Sequence, residues 1–218
     1  MMATTNPIIL FGGTFDPPHR AHVELPLLAA NLIGADTVCF IPAGLNPQKS
    51  EHPPTEGHHR VAMLEAAIAG EPRATISRIE LDRSGPSYMI DTVEAIHADL
   101  GPDAPTVRLL IGADQALNFR TWKRWEDLEA LAEPLVMPRA PHTIESLPTD
   151  LEASHPGAGA IWMKRVVDIP PIEVDSTGIR KAVADGSSLE RFVQPPVARY
   201  ILENGLYGPD HEQGRLNT

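Results

Sequence analysis

The sequence predicts a single α/β domain built on a doubly wound, mainly parallel sheet with helices on both faces. Three observations predict it. Short apolar or β-branched runs alternate with segments of helical spacing along most of the chain. Glycine follows two of the apolar runs, at Gly12-Gly13 and at Gly112. No repeat or internal linker breaks the pattern, so residues 1–207 read as one unit and 208–218 as a polar tail.

Ile8–Phe11 is a buried strand that enters the Gly12-Gly13 turn. His19–Ile33 has helical spacing through Val23, Leu27 and Ala30 and stops at Gly34; Pro26 kinks it or delays its regular part. Thr37–Ile41 is a second strand, β-branched and aromatic. Pro42–His59 is rich in Pro, Gly, His and charge, a loop of a length that is often functional in compact domains. Val61–Ala69 is an amphipathic helix, Ala74–Glu80 a strand, and Tyr88–Leu100 a helix after Gly85-Pro86-Ser87. Val107–Ile111 is a third apolar strand, Trp125–Leu131 a helix and Pro134–Met137 a strand. Pro138–Ala160 reads as a Pro/Gly loop and Val166–Ile169 as a further strand. Ser176–Ala184 is a helix opened by a Ser/Thr cap, and Pro195–Asn204 is the last, stopped by Gly205. In such a fold ligands lie beyond the carboxyl ends of the strands, where the loops converge. Every motif below falls in such a position.

The 218 residues are 42% apolar, enough for a real core, and carry a net charge of -11. A binder of nucleic acid through its backbone normally carries the opposite sign, so that class is disfavoured. Cys39 is the one cysteine, which excludes an internal disulfide and a Cys-cluster zinc site and points to a reducing, cytoplasmic compartment. The opening MMATTNPIIL has no basic region and no long apolar run, so no secretory signal is expected. No stretch approaches the roughly 18 apolar residues of a membrane span.

The richest segment is Gly12-Gly13-Thr14-Phe15-Asp16-Pro17-Pro18-His19-Arg20-Ala21-His22. Two glycines after a buried strand let the backbone approach a ligand closely. A helix start attracts phosphate through its free N–H groups. His19 and His22 are three apart and share a helix face, where two imidazoles can donate to phosphate oxygens or bind a metal. A surface histidine pair is the plain alternative; the glycine turn, Thr14 and the preceding strand weigh against it. The P-loop, Gly-x-Gly-x-x-Gly, His-Glu-x-x-His and Gly-x-Ser-x-Gly motifs are all absent.

This segment resembles the GG-T-F-D-P-x-H-x-G-H signature of the nicotinate (nicotinamide) mononucleotide adenylyltransferases, with Ala21 where that family usually has Gly. Five further segments resemble the family in order. They are Ile41-Pro42-Ala43-Gly44 through Lys49 (Gln48 in a usual His place), Arg60–Leu64, and Ser84–Thr92 (Met89 in a Thr place). Ile111–Asp114 with Trp122–Trp125, and Ser176–Arg180 with Gln194–Tyr207, complete the series over about residues 8–207. The resemblance implies a Rossmann-like fold and adenylyl transfer. ATP and nicotinate mononucleotide give nicotinate adenine dinucleotide and pyrophosphate, in the biosynthesis of NAD.

Such a reaction needs no protein nucleophile, because the mononucleotide phosphate attacks the α-phosphorus of ATP itself. The protein holds two polyanions in line and stabilises the charge that develops. The resemblance implies that His19, His22, Lys49 and Arg180 act at the phosphates. It places ATP on Gly12, Gly13, Thr14, Phe15, Gly112, Asp114, Ser176 and Thr177 as well. It places the mononucleotide on Asp16, Lys49, Ser87, Tyr88, Met89 and Trp122. Asp114 suits a ribose hydroxyl, and Trp122 reads equally as a platform for the pyridine ring or as half-buried core. Met89 has no side-chain donor, so a nicotinate carboxylate there must be read by backbone N–H groups. Mg²⁺ is expected with ATP, and no residues are assigned to a protein-held metal. Nicotinamide mononucleotide, pantetheine phosphate, or a non-catalytic nucleotide-binding module of the same fold are the alternatives.

Overall fold

The strands β1 (Ile8–Gly13), β2 (Thr37–Pro42), β3 (Ala74–Ile76), β4 (Val107–Gly112) and β5 (Glu133–Met137) form one parallel sheet in the order 3-2-1-4-5. The computed structural model describes residues 6–44, 53–102 and 104–208. The chain winds outward from β1 through β2 to β3, then returns to the other side of β1 for β4 and β5. The reversal lies between β1 and β4, the position where doubly wound folds take their ligands.

The alternation of side chains along β1 sorts the core. Ile9 and Phe11 join Val38, Phe40 and Leu110 on one face, with Ala29 and Ala30 of α1 (Arg20–Ile33) and Leu64 of α2 (Gly57–Ile68). Leu10 points the other way, among Leu109, Ile111 and Val136, with Ile90 and Val93 of α3 (Met89–Leu100) and Leu128 of α5 (Trp125–Leu131). α4 (Ala113–Leu117), α6 (Leu147–Ser154) and α7 (Gly159–Met163) cover the same face, through Ala116, Leu151 and Trp162. A third apolar cluster joins Val23 and Met63 to Ile179 of α8 (Ser176–Ala184) and to Val197 and Ile201 of α9 (Pro195–Glu203).

Several expected elements shift. β3 is only three residues long, and residues 77–88 run on as irregular chain. The Val61 helix starts earlier, at Gly57, which shortens the expected loop. Pro138–Ala160 contains α6 and α7, and α4 follows Gly112 directly; helices of eight and five residues carry too little periodicity to be read. Val166–Ile169 is not a strand: Val166 makes one bridge to Val136 on the open edge of β5 and the pairing goes no further, so the β-branched run does not extend the sheet. Pro26 sits inside α1 and is buried, and its missing N–H removes the i+4 donor of the His22 carbonyl. The tail after Gly208 lies outside the described residues. Among the described residues, no helix is long and apolar enough to cross a membrane.

Candidate active site

β1 pairs with β2 along its whole length, through Gly13 with Pro42, but pairs with β4 only from Ile8 to Leu10. Beyond Leu10 the two strands part, and the crevice between them opens toward Gly12-Gly13 on one side and Gly112 on the other. Gly13 has no room for a side chain, since a Cβ there would lie 2.9 Å from the Phe15 ring. Phe15 has a φ of 52° and is buried, and it meets the His22 ring edge-on at 5.1 Å. It is a floor under the histidine. Thr14 lends its carbonyl to the buried Arg60, whose Nη1 donates to it at 2.8 Å.

His19 is the N-cap of α1. Its Nδ1 accepts from the His22 backbone N–H at 3.3 Å, a role usually filled by Ser, Thr, Asp or Asn. That contact places the proton of neutral His19 on Nε2. The two imidazoles stack, with centroids 3.6 Å apart and planes 17° from parallel. His19 is 4% exposed. Burial, reinforced by the charge of Arg139, holds its pKa down at about 4 against a smaller pull from Asp175. Burial likewise holds His22 well below the ordinary value, followed by the nearness of His19 and of Arg139. Both rings are therefore neutral at pH 7. The Nδ1 of His22 is buried with no hydrogen-bond partner among the described residues.

The start of α8 docks against this turn. Ser176 Oγ donates to the Pro17 carbonyl at 2.9 Å, and Arg180 donates from Nη1 to the Asp16 carbonyl at 2.8 Å and from Nη2 to Thr177 Oγ1 at 3.1 Å. The expected Ser/Thr cap is corrected: Asp175 is the N-cap, accepting from the Gly178 N–H at 2.8 Å, and Ser176 and Thr177 are the first two helical residues. Asp16 is 7% exposed, and its carboxylate faces inward. Oδ1 accepts from the Tyr207 hydroxyl at 2.6 Å and Oδ2 from the Thr55 N–H at 3.1 Å. The carboxylate expected at the mononucleotide thus holds the turn together. Burial and that neighbouring charge push the Tyr207 hydroxyl far above its ordinary pKa, so it stays a donor.

The other side of the crevice gathers the remaining candidates. Met89 is the first residue of α3, and its methyl lies 2.8 Å from where a Cβ on Gly12 would sit, which brings the helix start over β1. The N-cap of α3 is Tyr88, with no side-chain capping bond, so the first N–H groups of the helix lack the usual side-chain acceptor. Lys123 stands 4.3 Å over the Tyr88 ring and pairs with Asp91 at 3.0 Å. Trp122 packs on Phe119 at 5.4 Å and is half-buried. Ser87 Oγ donates to the Glu80 carbonyl at 3.4 Å. Asp114 is exposed on the first turn of α4, with Oδ1 lying 2.6 Å from where a Cβ on Gly112 would sit. Lys49 and Gln48 lie outside the described residues. Among the described residues, no three His, Cys, Asp or Glu side chains come together as a metal cage.

Sequence reasoning missed Arg139, Asp175, Glu80 and Lys123. Asp175 carried a signal, an Asp three residues before Gly178 at a helix start. Arg139, just beyond β5, carried none; only the fold brings its charge to the histidines.

Residues 10–182 match the cytidylyltransferase-like family. A probable nicotinate-nucleotide adenylyltransferase of Symbiobacterium thermophilum is 36% identical over 210 residues, which cover 95% of this chain and 99% of that one. Its counterpart in Bordetella petrii is 37% identical over 91% of this chain and 97% of its own length. In fold, the chain resembles a Plasmodium falciparum nicotinic acid mononucleotide adenylyltransferase complexed with NaAD. The TM-score is 0.69 at 20% identity, over 93% of this chain and 97% of that one. With the glycine turn, the stacked histidines and the α8 start converging where β1 and β4 part, these matches show that the chain belongs to the nicotinate-nucleotide adenylyltransferases, a group of nucleotidyltransferases.

Proposed function

We propose that this enzyme joins ATP to nicotinate mononucleotide, releasing pyrophosphate and forming nicotinate adenine dinucleotide. The observation that carries the reading is the stacked, neutral His19–His22 pair at the mouth of the β1–β4 crevice. A 5′-phosphate oxygen of the mononucleotide forms the new bond to the α-phosphorus. The bond from that phosphorus to the oxygen bridging to the β-phosphate breaks, and pyrophosphate leaves. His19 donates from Nε2 to a phosphate oxygen, because its Nδ1 is taken by the His22 N–H. A phosphate beside so buried a ring favours its protonated form, so the site strengthens as charge develops. Arg180 and Ser176 are already anchored to the Asp16-Pro17 turn, so the α8 start is preorganised for the outer phosphates of ATP. Gly12, Gly13 and Gly112 let Met89, Phe15 and Asp114 pack directly on the strand ends, where the nucleotide meets bare backbone, and Asp114 accepts from its ribose. Thr14, Phe15 and Asp16 shape the turn, and Thr177 steadies Arg180. Lys49 enters on its motif alone.

Mg²⁺ arrives with ATP, as part of that substrate, and neutralises phosphate oxygens there. The start of α3, with no side-chain cap on its first N–H groups, supports recognition of a carboxylate, and so nicotinate over nicotinamide. Ser87, Tyr88, Met89 and Trp122 border that end. The single Cys39 supports a cytoplasmic setting.

The test is pyrophosphate release from Mg-ATP with nicotinate mononucleotide, nicotinamide mononucleotide or phosphopantetheine. Turnover with nicotinate mononucleotide far above the other two is expected. Equal rates with both mononucleotides would sink the nicotinate preference, and no release with any would favour a non-catalytic module.

A further inference from the structure

Glu80 lies outside every motif assigned a role above, in the irregular chain after β3, yet it is only 6% exposed. A buried carboxylate is retained only where hydrogen bonds satisfy it. Here Oε2 accepts from the Gly44 N–H at 3.2 Å and Oε1 from the Thr92 hydroxyl at 3.0 Å. The Glu80 carbonyl accepts from Ser87 Oγ. Thr92 Oγ1 in turn accepts from Arg83 Nη1 at 3.0 Å, and Arg83 Nη2 donates to the Asp91 carbonyl at 3.3 Å. The positive charge reaches Glu80 through a hydroxyl, and among the described residues Glu80 makes no ion pair.

Three separate segments meet on this one side chain and its backbone: the start of the loop after β2, the approach to α3, and the first turn of α3. They meet without slack. A Cβ on Gly44 would lie 2.4 Å from the Glu80 carbonyl oxygen and 2.8 Å from Ser87 Oγ. Ser87, Tyr88 and Met89, the residues read as bordering the mononucleotide, sit between two of these anchor points.

We propose that Glu80 is a positioning residue that sets the spacing between the β2 loop and the start of α3, and so the fit of the mononucleotide. This rests on the reading of the reaction given above. Glu80 touches no reacting group; it acts through Gly44, Ser87 and Thr92.

The test is steady-state kinetics of the full chain carrying Glu80→Gln, with each substrate varied in turn. Gln keeps the shape but has one acceptor oxygen where two are used. The KM for nicotinate mononucleotide rises by about tenfold, while kcat and the KM for ATP stay within about twofold. An unchanged mononucleotide KM, or both KM values rising together, would overturn the proposal. If Glu80→Gln does not fold, Thr92→Val replaces it. This variant removes one partner and must raise the same KM; a folded Thr92→Val with an unchanged value overturns the proposal as well. Failure of the underlying reading looks different: the wild-type chain itself would release no pyrophosphate with nicotinate mononucleotide.

Discussion

The two sides of the crevice are built by different means. On the β1–α1–α8 side the polar groups are fixed to backbone: Ser176 to the Pro17 carbonyl, Arg180 to the Asp16 carbonyl, Arg60 to the Thr14 and Thr55 carbonyls. On the α3 side a relay of side chains, Arg83 to Thr92 to Glu80, links the backbone anchors at Asp91 and Gly44, and Lys123 pairs with Asp91 outside it. These three side chains take main-chain acceptors, which are present whatever residue carries them, and that makes the first the rigid side and suits it to chemistry. The relay runs through the Thr92 hydroxyl, so a single substitution there breaks both the link to Glu80 and the link to Arg83.

Four measurements test this contrast. The largest effect falls on the rigid side: His19→Ala or His22→Ala lowers kcat by about 10²–10³-fold with the fold intact, the scale of one lost transition-state donor. Full activity in either variant removes the proposed chemistry from that side. The next effect is on stability. The folded pKa of His19, about 4, lies below its ordinary 6.5, so between those values the unfolded chain binds more protons. Stability is then fully present above pH 6.5 and falls as the pH drops toward 4, by about 3 kcal/mol from this ring. Guanidinium midpoints at pH 7 and 4.5 should converge less in wild type than in His19→Gln; equal losses in both would refute the buried neutral ring.

Tyr207→Phe comes third. It takes one donor from the buried Asp16 carboxylate and costs about 1–3 kcal/mol in unfolding free energy. A thermal midpoint equal to wild type would mean that the turn does not depend on this bond. Lys123→Ala is the smallest. Its pair with Asp91 is substantially exposed, so its contribution is under about 1 kcal/mol. The mononucleotide KM should rise only a few-fold, and less at high salt; a tenfold rise would place the governing contact at Lys123 rather than Glu80.

The same contrast explains what could be read in advance. The rigid side was legible because its determinants are contiguous: a strand, two glycines and a helix start within Gly12–His22, then Ser176–Arg180. The parallel sheet was legible from the alternation of elements. The side-chain network was not. Glu80 meets Gly44 across 36 residues, and no local pattern marks a carboxylate that will be buried. Val166–Ile169 failed for the converse reason, because strand-like composition does not say how far a run will pair: Val166 meets the open edge of β5 and the pairing ends there.

The Tyr207–Asp16 bond joins residues 191 apart in the chain. During synthesis, β1 and the histidine turn leave the ribosome early, and their last anchor leaves long after. The Asp16 turn cannot be completed until residue 207 has been made. The histidine turn thus waits on a partner made 191 residues later, and a product that stops before residue 207 would carry the whole histidine motif without its closing bond.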